Sequence, residues 1–269
     1  MAFAGLKHAT SVGAEFSCTE VSVVFSGLRA LHQVSISLQR GEVLGVIGPN
    51  GAGKTTLVNM LSGFASADSG SVHLDDRDVT GLSPERRARL GVARTFQHGR
   101  LFLGLTVREN VELGALGVGA SARSARRTAA RLLDEFTLQR LAETEVGQCS
   151  HGEQQQVAVM RAVAASPKFI LLDEPAAGLP EQLTDQLSAV IERLSSDGQA
   201  GVLVIDHNVE FILKVSDRVV VLDHGELIAQ GTPVEIRQDL NVVSAYLGES
   251  GVRHDSGAPP PPERAEGAQ

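Results

Sequence analysis

Gly48-Pro49-Asn50-Gly51-Ala52-Gly53-Lys54-Thr55-Thr56 fits the pattern G-x-x-x-x-G-K-[ST] and constrains this chain more than any other stretch. The apolar run Glu42–Ile47 before it reads as a buried strand. Thr55–Gly63 after it reads as a helix, with Leu57, Met60 and Leu61 at helical spacing and Gly63 as the stop. Strand, glycine-rich turn and helix in that order predict an α/β core. The glycines let the backbone curl until its N–H groups converge on an anion, and the helix start adds partial positive charge behind it. In such a loop Lys54 reaches the outer phosphates of a nucleotide, and the Thr55 hydroxyl is a ligand for Mg²⁺.

Composition narrows the class. The 269 residues carry a net charge of −8, which argues against a nucleic-acid binder held by a basic surface. Two cysteines, Cys18 and Cys149, are too few for a disulfide framework and suit a reducing compartment. The start of the chain lacks the basic-then-apolar pattern of a secretory signal, and no apolar run is long enough to span a bilayer. If the protein works at a membrane, another chain is expected to hold it there.

Along the chain, residues 1–15 predict a loose leader and 16–250 one nucleotide-binding unit. Residues 251–269, with four consecutive prolines, predict a disordered tail. Strands are predicted at Cys18–Phe25, Leu31–Leu38, Ser71–Leu74 and Val92–Phe96, with a helix at Ser83–Leu90. From about 98 to 165 the texture is helical: one helix from Thr106, one over Ala122–Leu141 and one over Gln154–Ala165. Arg123, Arg126, Arg127 and Arg131 predict a solvated face of the second. Phe169–Leu172 and Gly201–Ile205 then read as central parallel strands, Leu183–Leu194 and Val209–Val215 as helices, and Arg218–Leu222 as a further strand.

Three further motifs carry chemistry. Leu171-Leu172-Asp173-Glu174-Pro175 ends a buried strand in two carboxylates, a costly arrangement unless a cation or solvent receives them. Asp173 can hold Mg²⁺, and Glu174 can polarise an attacking water. Ile205-Asp206-His207 puts a histidine at the end of the following strand. Cys149-Ser150-His151-Gly152-Glu153-Gln154 precedes a helix. This hexapeptide resembles the ATP-binding-cassette signature, usually Leu-Ser-Gly-Gly-Gln, with Cys149, His151 and Glu153 as departures.

The resemblance covers about Phe16 to Ser250. It implies a P-loop nucleoside triphosphatase fold of the ABC cassette type, with a RecA-like α/β core, an antiparallel β subdomain and a helical subdomain near 98–165. It also implies the roles of particular residues. Phe25 would stack on adenine, and Gly48, Pro49, Asn50, Gly51, Ala52, Gly53, Lys54, Thr55 and Thr56 would hold the phosphates. Thr55, Gln97 and Asp173 would face Mg²⁺, with Gln97 also coupling to the membrane subunit, and Glu174 and His207 would be catalytic. Ser150, Gly152 and Glu153 would meet ATP held by a second cassette, as a homo- or heterodimer.

Within the family, Ala93-Arg94-Thr95-Phe96-Gln97, Glu174-Pro175-Ala176-Ala177-Gly178-Leu179 and Gly231–Arg237 with Ala245–Glu249 resemble the ATPases of branched-chain amino-acid importers. The last pair lies in an expected C-terminal extension over 226–250. Urea and amide importers and a lipopolysaccharide-exporting ATPase are similar. The resemblance thus implies ATP hydrolysis that powers transport, with transmembrane permease subunits and an external substrate-binding protein as partners and no nucleic acid. The place of work would be the cytoplasmic face of the cell membrane, held there by the permeases. Pro180 stands where many cassettes carry an Asp, which bears on turnover. A soluble cassette protein of translation or DNA repair, or a regulatory subunit that hydrolyses poorly, are the competing expectations.

Overall fold

The computed structural model describes residues 15–96, 100–196, 198, 200–239 and 242. Its elements in chain order are β1 (Glu15–Phe25), β2 (Leu28–Gln39), β3 (Val43–Ile47), α1 (Lys54–Leu61), β4 (Ser69–Leu74), β5 (Arg77–Asp78), α2 (Pro84–Arg89) and β6 (Val92–Arg94). The helices α3 (Val107–Gly117), α4 (Ala122–Glu135) and α5 (His151–Ala164) follow. The chain continues with β7 (Phe169–Asp173), α6 (Glu181–Ser196), β8 (Gly201–Ile205), α7 (Val209–Val215), β9 (Arg218–Asp223), β10 (Glu226–Gly231) and α8 (Pro233–Gln238).

Among the described residues the strands make two sheets. One is antiparallel, in the order β2-β1-β4-β5. The other runs β10-β9-β3-β8-β7-β6 and is parallel except for the β10 edge. The near-continuous apolar runs of β3, β7 and β8 are explained by burial on both faces. Side-chain alternation sorts them into two cores. Val43, Ile47, Ile170, Leu172, Val202 and Val204 face the side covered by α6, α7 and the helical layer. Leu44, Val46, Phe169, Leu171, Leu203 and Ile205 face α1 and the antiparallel sheet, where Phe16 meets Phe169 at 5.6 Å between ring centres. The antiparallel sheet therefore presses on the parallel one from the α1 side.

Helices α3, α4 and α5 pack on one another as the helical layer. The expected helix over Ala122–Leu141 is shorter: α4 ends at Glu135, and a 3₁₀ turn covers Gln139–Leu141. Thr137 has φ 55°, and the Leu138 N–H donates to Leu133 O at 2.8 Å, which closes the helix as a glycine would. The apolar period ran on because Leu132, Leu133 and Phe136 all remain buried across the break. Arg123, Arg126, Arg127 and Arg131 are exposed, as a solvated face requires. The third helix starts earlier than expected, at His151 instead of Gln154, because Ser150 caps it. The expected leader, the tail over 251–269 and most of the extension beyond Gly231–Arg237 lie outside the described residues.

Candidate functional site

The phosphate loop joins β3 to α1. Two of its glycines are dictated by crowding. A Cβ on Gly48 would sit 2.2 Å from Leu222 O, and one on Gly53, at φ 100°, would sit 2.5 Å from Ala30 O. The loop is thus wedged between the β9–β10 hairpin and β2, and the Gly225 N–H ties it down through Ala52 O at 3.1 Å. Lys54 Nζ donates to Gly48 O at 2.6 Å and to Pro49 O at 2.9 Å, which folds the side chain over the loop. At the start of α1 no side chain caps the helix and the first turn holds no acid. Its N–H groups and partial positive charge face the loop opening, with Thr55 exposed there. Phe25 ends β1 at the tip of the β1–β2 hairpin and is 51% exposed. The β2 strand of that hairpin carries Ala30 against the loop.

The carboxylates follow at the ends of the next strands. Asp173 closes β7 and is 2% exposed. Its N–H donates to Thr95 Oγ1 at 3.0 Å, and its carboxylate pairs with Arg94 at 3.2 Å. Burial pushes the Asp173 carboxyl above its ordinary value, the Arg94 guanidinium opposes this, and Glu174 adds to the rise. Arg94 was not foreseen as a site residue. It also donates to Asn59 Oδ1 and Ser62 Oγ on the α1 side, and stacks over Phe64 and Phe96. It lies within the motif Ala93–Gln97, but spacing along the chain does not give its role, because its partners include groups on the α1 side and on β7.

Glu174 has φ 50°, a left-handed conformation that an L-residue adopts at a cost. Its N–H donates to Ile205 O at 2.8 Å, which lashes it to the end of β8. There His207 Nδ1 lies 4.0 Å from Glu174 Oε2 and 3.5 Å from Asp206 Oδ1, with its side chain 64% exposed. Asp206 is buried and accepts from the N–H groups of Ala176 and Asn208, so it locks the loop after Glu174 to the histidine turn. Burial raises its carboxyl, and those two N–H groups pull it back. Its place before His207 at a strand end was the available signal. Gln97 lies outside the described residues.

Oxygen donors from Thr55 and Asp173 suit a hard cation. Among the described residues no group of three or more His, Cys, Asp or Glu side chains could hold a metal by itself. Two protein donors with the remaining ligands from phosphates and water is the pattern of Mg²⁺ at a nucleotide. The residues present therefore fit that ion.

The signature segment stands apart from the loop, at the start of α5. Ser150 is the N-cap, and Glu153 completes a capping box. The Ser150 N–H and hydroxyl both donate to Glu153 Oε2 at 2.9 Å, and Arg140 pairs with Glu153 Oε1 at 2.5 Å. Burial pushes the Glu153 carboxyl up, but Ser150 and Arg140 outweigh it and hold it below its ordinary value. Cys149, buried, fills the place of the usual leucine. Gly152 faces Leu179 and Leu183, so the segment leans on the loop after Glu174. Pro180 is exposed, and its carbonyl accepts from Leu183 and Thr184 in the first turn of α6.

A groove of about 460 Å³ lies between the core and the helical layer, lined by Phe64, Phe96, Phe102, Leu113, Val118 and Arg94. Phe64 and Phe102 are half exposed. Among the described residues no helix is long and apolar enough to cross a membrane.

Comparison with known proteins adds to this geometry. Residues 31–177 match the family described as ABC transporter, and residues 226–252 match the one described as branched-chain amino acid ATP-binding cassette transporter. The high-affinity branched-chain amino acid transport ATP-binding protein BraF of Pseudomonas aeruginosa is 38% identical over 84% of this chain and 94% of its own. The lipopolysaccharide export system ATP-binding protein LptB of Escherichia coli is 38% identical over 88% of this chain and 98% of its own. Among solved structures, an ATP-binding cassette of an ABC transporter in its ADP conformation superposes with a TM-score of 0.78, at 30% identity over 87% of this chain and 99% of that one. A dimeric bacterial ABC transporter cassette gives 0.75, at 25% identity over 81% and 98%.

Proposed function

The chain belongs to the ABC transporter family of ATP-hydrolysing cassettes, and on that premise we propose that it powers a membrane importer for branched-chain amino acids or related amides. The observation that carries the substrate class is the match of residues 226–252 to the branched-chain amino acid group. The expected likeness in Glu174–Leu179 and Ala93–Gln97 supports the same assignment.

In this reading ATP lies along the phosphate loop. Phe25 stacks on the base, and the loop N–H groups and the start of α1 hold the phosphates. Lys54 leaves the carbonyls of Gly48 and Pro49 for the outer phosphates. Thr55, Asp173 and Gln97 would hold Mg²⁺, which would supply neutralisation of the charge developing on the phosphates. Glu174 accepts the proton of the attacking water, and His207 beside it contacts the outer phosphate. Ser150 and Gly152 reach the nucleotide of a second cassette, with Glu153 beside them, so two chains enclose two ATP molecules. ATP stabilises the closed pair and hydrolysis reopens it.

ABC cassettes work with transmembrane permeases, and we place the permease contact in the Phe64–Phe96–Phe102 groove; Gln97, expected to couple to the membrane subunit, follows Phe96 directly in the sequence. The protein would sit at the cytoplasmic face of the membrane through that contact. An external substrate-binding protein would deliver the cargo.

The test is reconstitution with the permeases that co-purify with it. ATP-dependent uptake of a branched-chain amino acid is expected. Glu174→Gln should still bind ATP but lower hydrolysis by about 10²–10⁴-fold. A second reading, lipid or lipopolysaccharide export, rests on the equal identity to LptB. Co-purification with lipid-extracting permeases and no amino-acid uptake would establish it instead.

A further inference from the structure

The helix that carries the signature also touches the peptide of the catalytic carboxylate. Gln155 lies in the second turn of α5, is 6% exposed, and its Nε2 donates to Glu174 O at 2.9 Å. This contact crosses from the helical layer to the end of β7, two regions separated by 19 residues of chain. Glu174 needs such support. It holds a positive φ directly before Pro175, where the proline ring already restricts the preceding residue. Such conformations persist only where the surroundings over-determine them. Here the N–H is fixed by Ile205 O, and the carbonyl by Gln155 at 2.9 Å with a longer contact from the Ala177 N–H at 3.3 Å. The direction of that carbonyl sets the Glu174 backbone, and the backbone aims the carboxylate at His207.

We propose that Gln155 is a positioning residue that couples the start of α5 to Glu174. It transmits the docking of Ser150 and Gly152 on the partner's nucleotide to the carboxylate that acts on this chain's own nucleotide. The inference rests on the two-site reading above and adds to it a physical link between the sites. When α5 shifts against the core, the amide is the direct connection through which the Glu174 peptide shifts with it. The base then reaches its working position only when the second cassette is seated. Packing alone would not do this, because apolar contacts tolerate sliding whereas a hydrogen bond to one carbonyl is directional.

The experiment uses the assembled complex and compares wild type, Gln155→Met, Gln155→Glu and Glu174→Gln. Methionine keeps the volume and removes the donor; glutamate keeps the length and turns an acceptor toward the carbonyl. Both should lower kcat by roughly five- to tenfold with KM for ATP unchanged, the scale of one hydrogen bond expressed in a rate. In the Glu174→Gln background, ATP-dependent dimer formation should be the same with and without Gln155→Met, a readout that a loosened α5 would change. Unchanged kcat in either variant, or weaker dimer formation in that background, overturns the proposal. If Glu174→Gln itself hydrolyses ATP at the wild-type rate, the underlying catalytic reading fails instead, and the two failures are distinguishable.

Discussion

Two helix starts in this molecule face opposite tasks, and they are built differently. The start of α1 has no side-chain cap and no acid in its first turn, and the loop leading into it is packed too tightly for a Cβ at Gly48 and Gly53. The start of α5 is closed by its own residues: Ser150 and Glu153 cap each other, and Arg140 holds the carboxylate. An uncapped helix start keeps all of its free N–H groups for a ligand, whereas a capped one has spent at least one of them internally. The difference is what the proposed reading requires: at α1 the phosphate site would be built within one chain. At α5 the Ser150 hydroxyl must turn away from Glu153 before it can meet an anion brought by another chain. Glu153, held in its charged form, opposes that anion until it arrives with enough compensating contacts.

Removing the cation at α1 should give the largest change in binding. Lys54→Ala is expected to weaken ATP binding by about 10–100-fold, the scale of a charge-assisted hydrogen bond. Titration calorimetry of the isolated chain with Mg²⁺ measures it, and unchanged affinity would sink the assignment of this loop. Ser150→Ala should behave in the opposite way. It is expected to leave ATP affinity of the single chain intact and to weaken ATP-dependent dimer formation, read in the Glu174→Gln background, by roughly three- to tenfold. A loss of affinity in the isolated chain would mean that the two helix starts serve one site.

Glu153→Gln sharpens the contrast further. The amide keeps the reach to the Ser150 N–H but removes the charge. Dimer formation should strengthen by a few fold; weakening would show that the carboxylate itself serves the contact between chains. The smallest effect is on stability with pH. The Glu153 carboxyl is held below its ordinary value of about 4.5, so its stabilising contribution is full above that value. It is lost as pH falls through the lower folded value. The melting-temperature gap between wild type and Glu153→Gln should therefore shrink on acidification through the carboxylate range. A gap that does not vary with pH would remove Glu153 from the account of this helix start.

Local pattern made much of the fold legible. The runs Phe169–Leu172 and Gly201–Ile205 became central parallel strands because unbroken apolar stretches must be buried on both faces. Ser83 before Pro84 and Thr106 before Val107 marked helix starts that hold in the structure. The end of α4 was not legible, because Thr137 supplies a left-handed turn usually left to glycine while the apolar period continues past it. The β10–α8 segment was seen only as an extension, since its short strand gains meaning from pairing with β9.

By itself the sequence determined the phosphate loop, the paired carboxylates, the histidine at a strand end and the signature before α5. Each of these is a short, contiguous pattern whose chemistry follows from backbone geometry and residue type. Tertiary structure alone decided that Arg94 neutralises Asp173, that Asp206 locks the turn before His207, and that Gln155 holds the Glu174 carbonyl. Some of these partners lie tens of residues apart in the chain, and their pairing depends on strand order in the parallel sheet and on how the helical layer leans on it. Spacing along the chain carries no record of such contacts. They exist because buried charges and strained peptides must be satisfied by whatever groups the fold brings within reach.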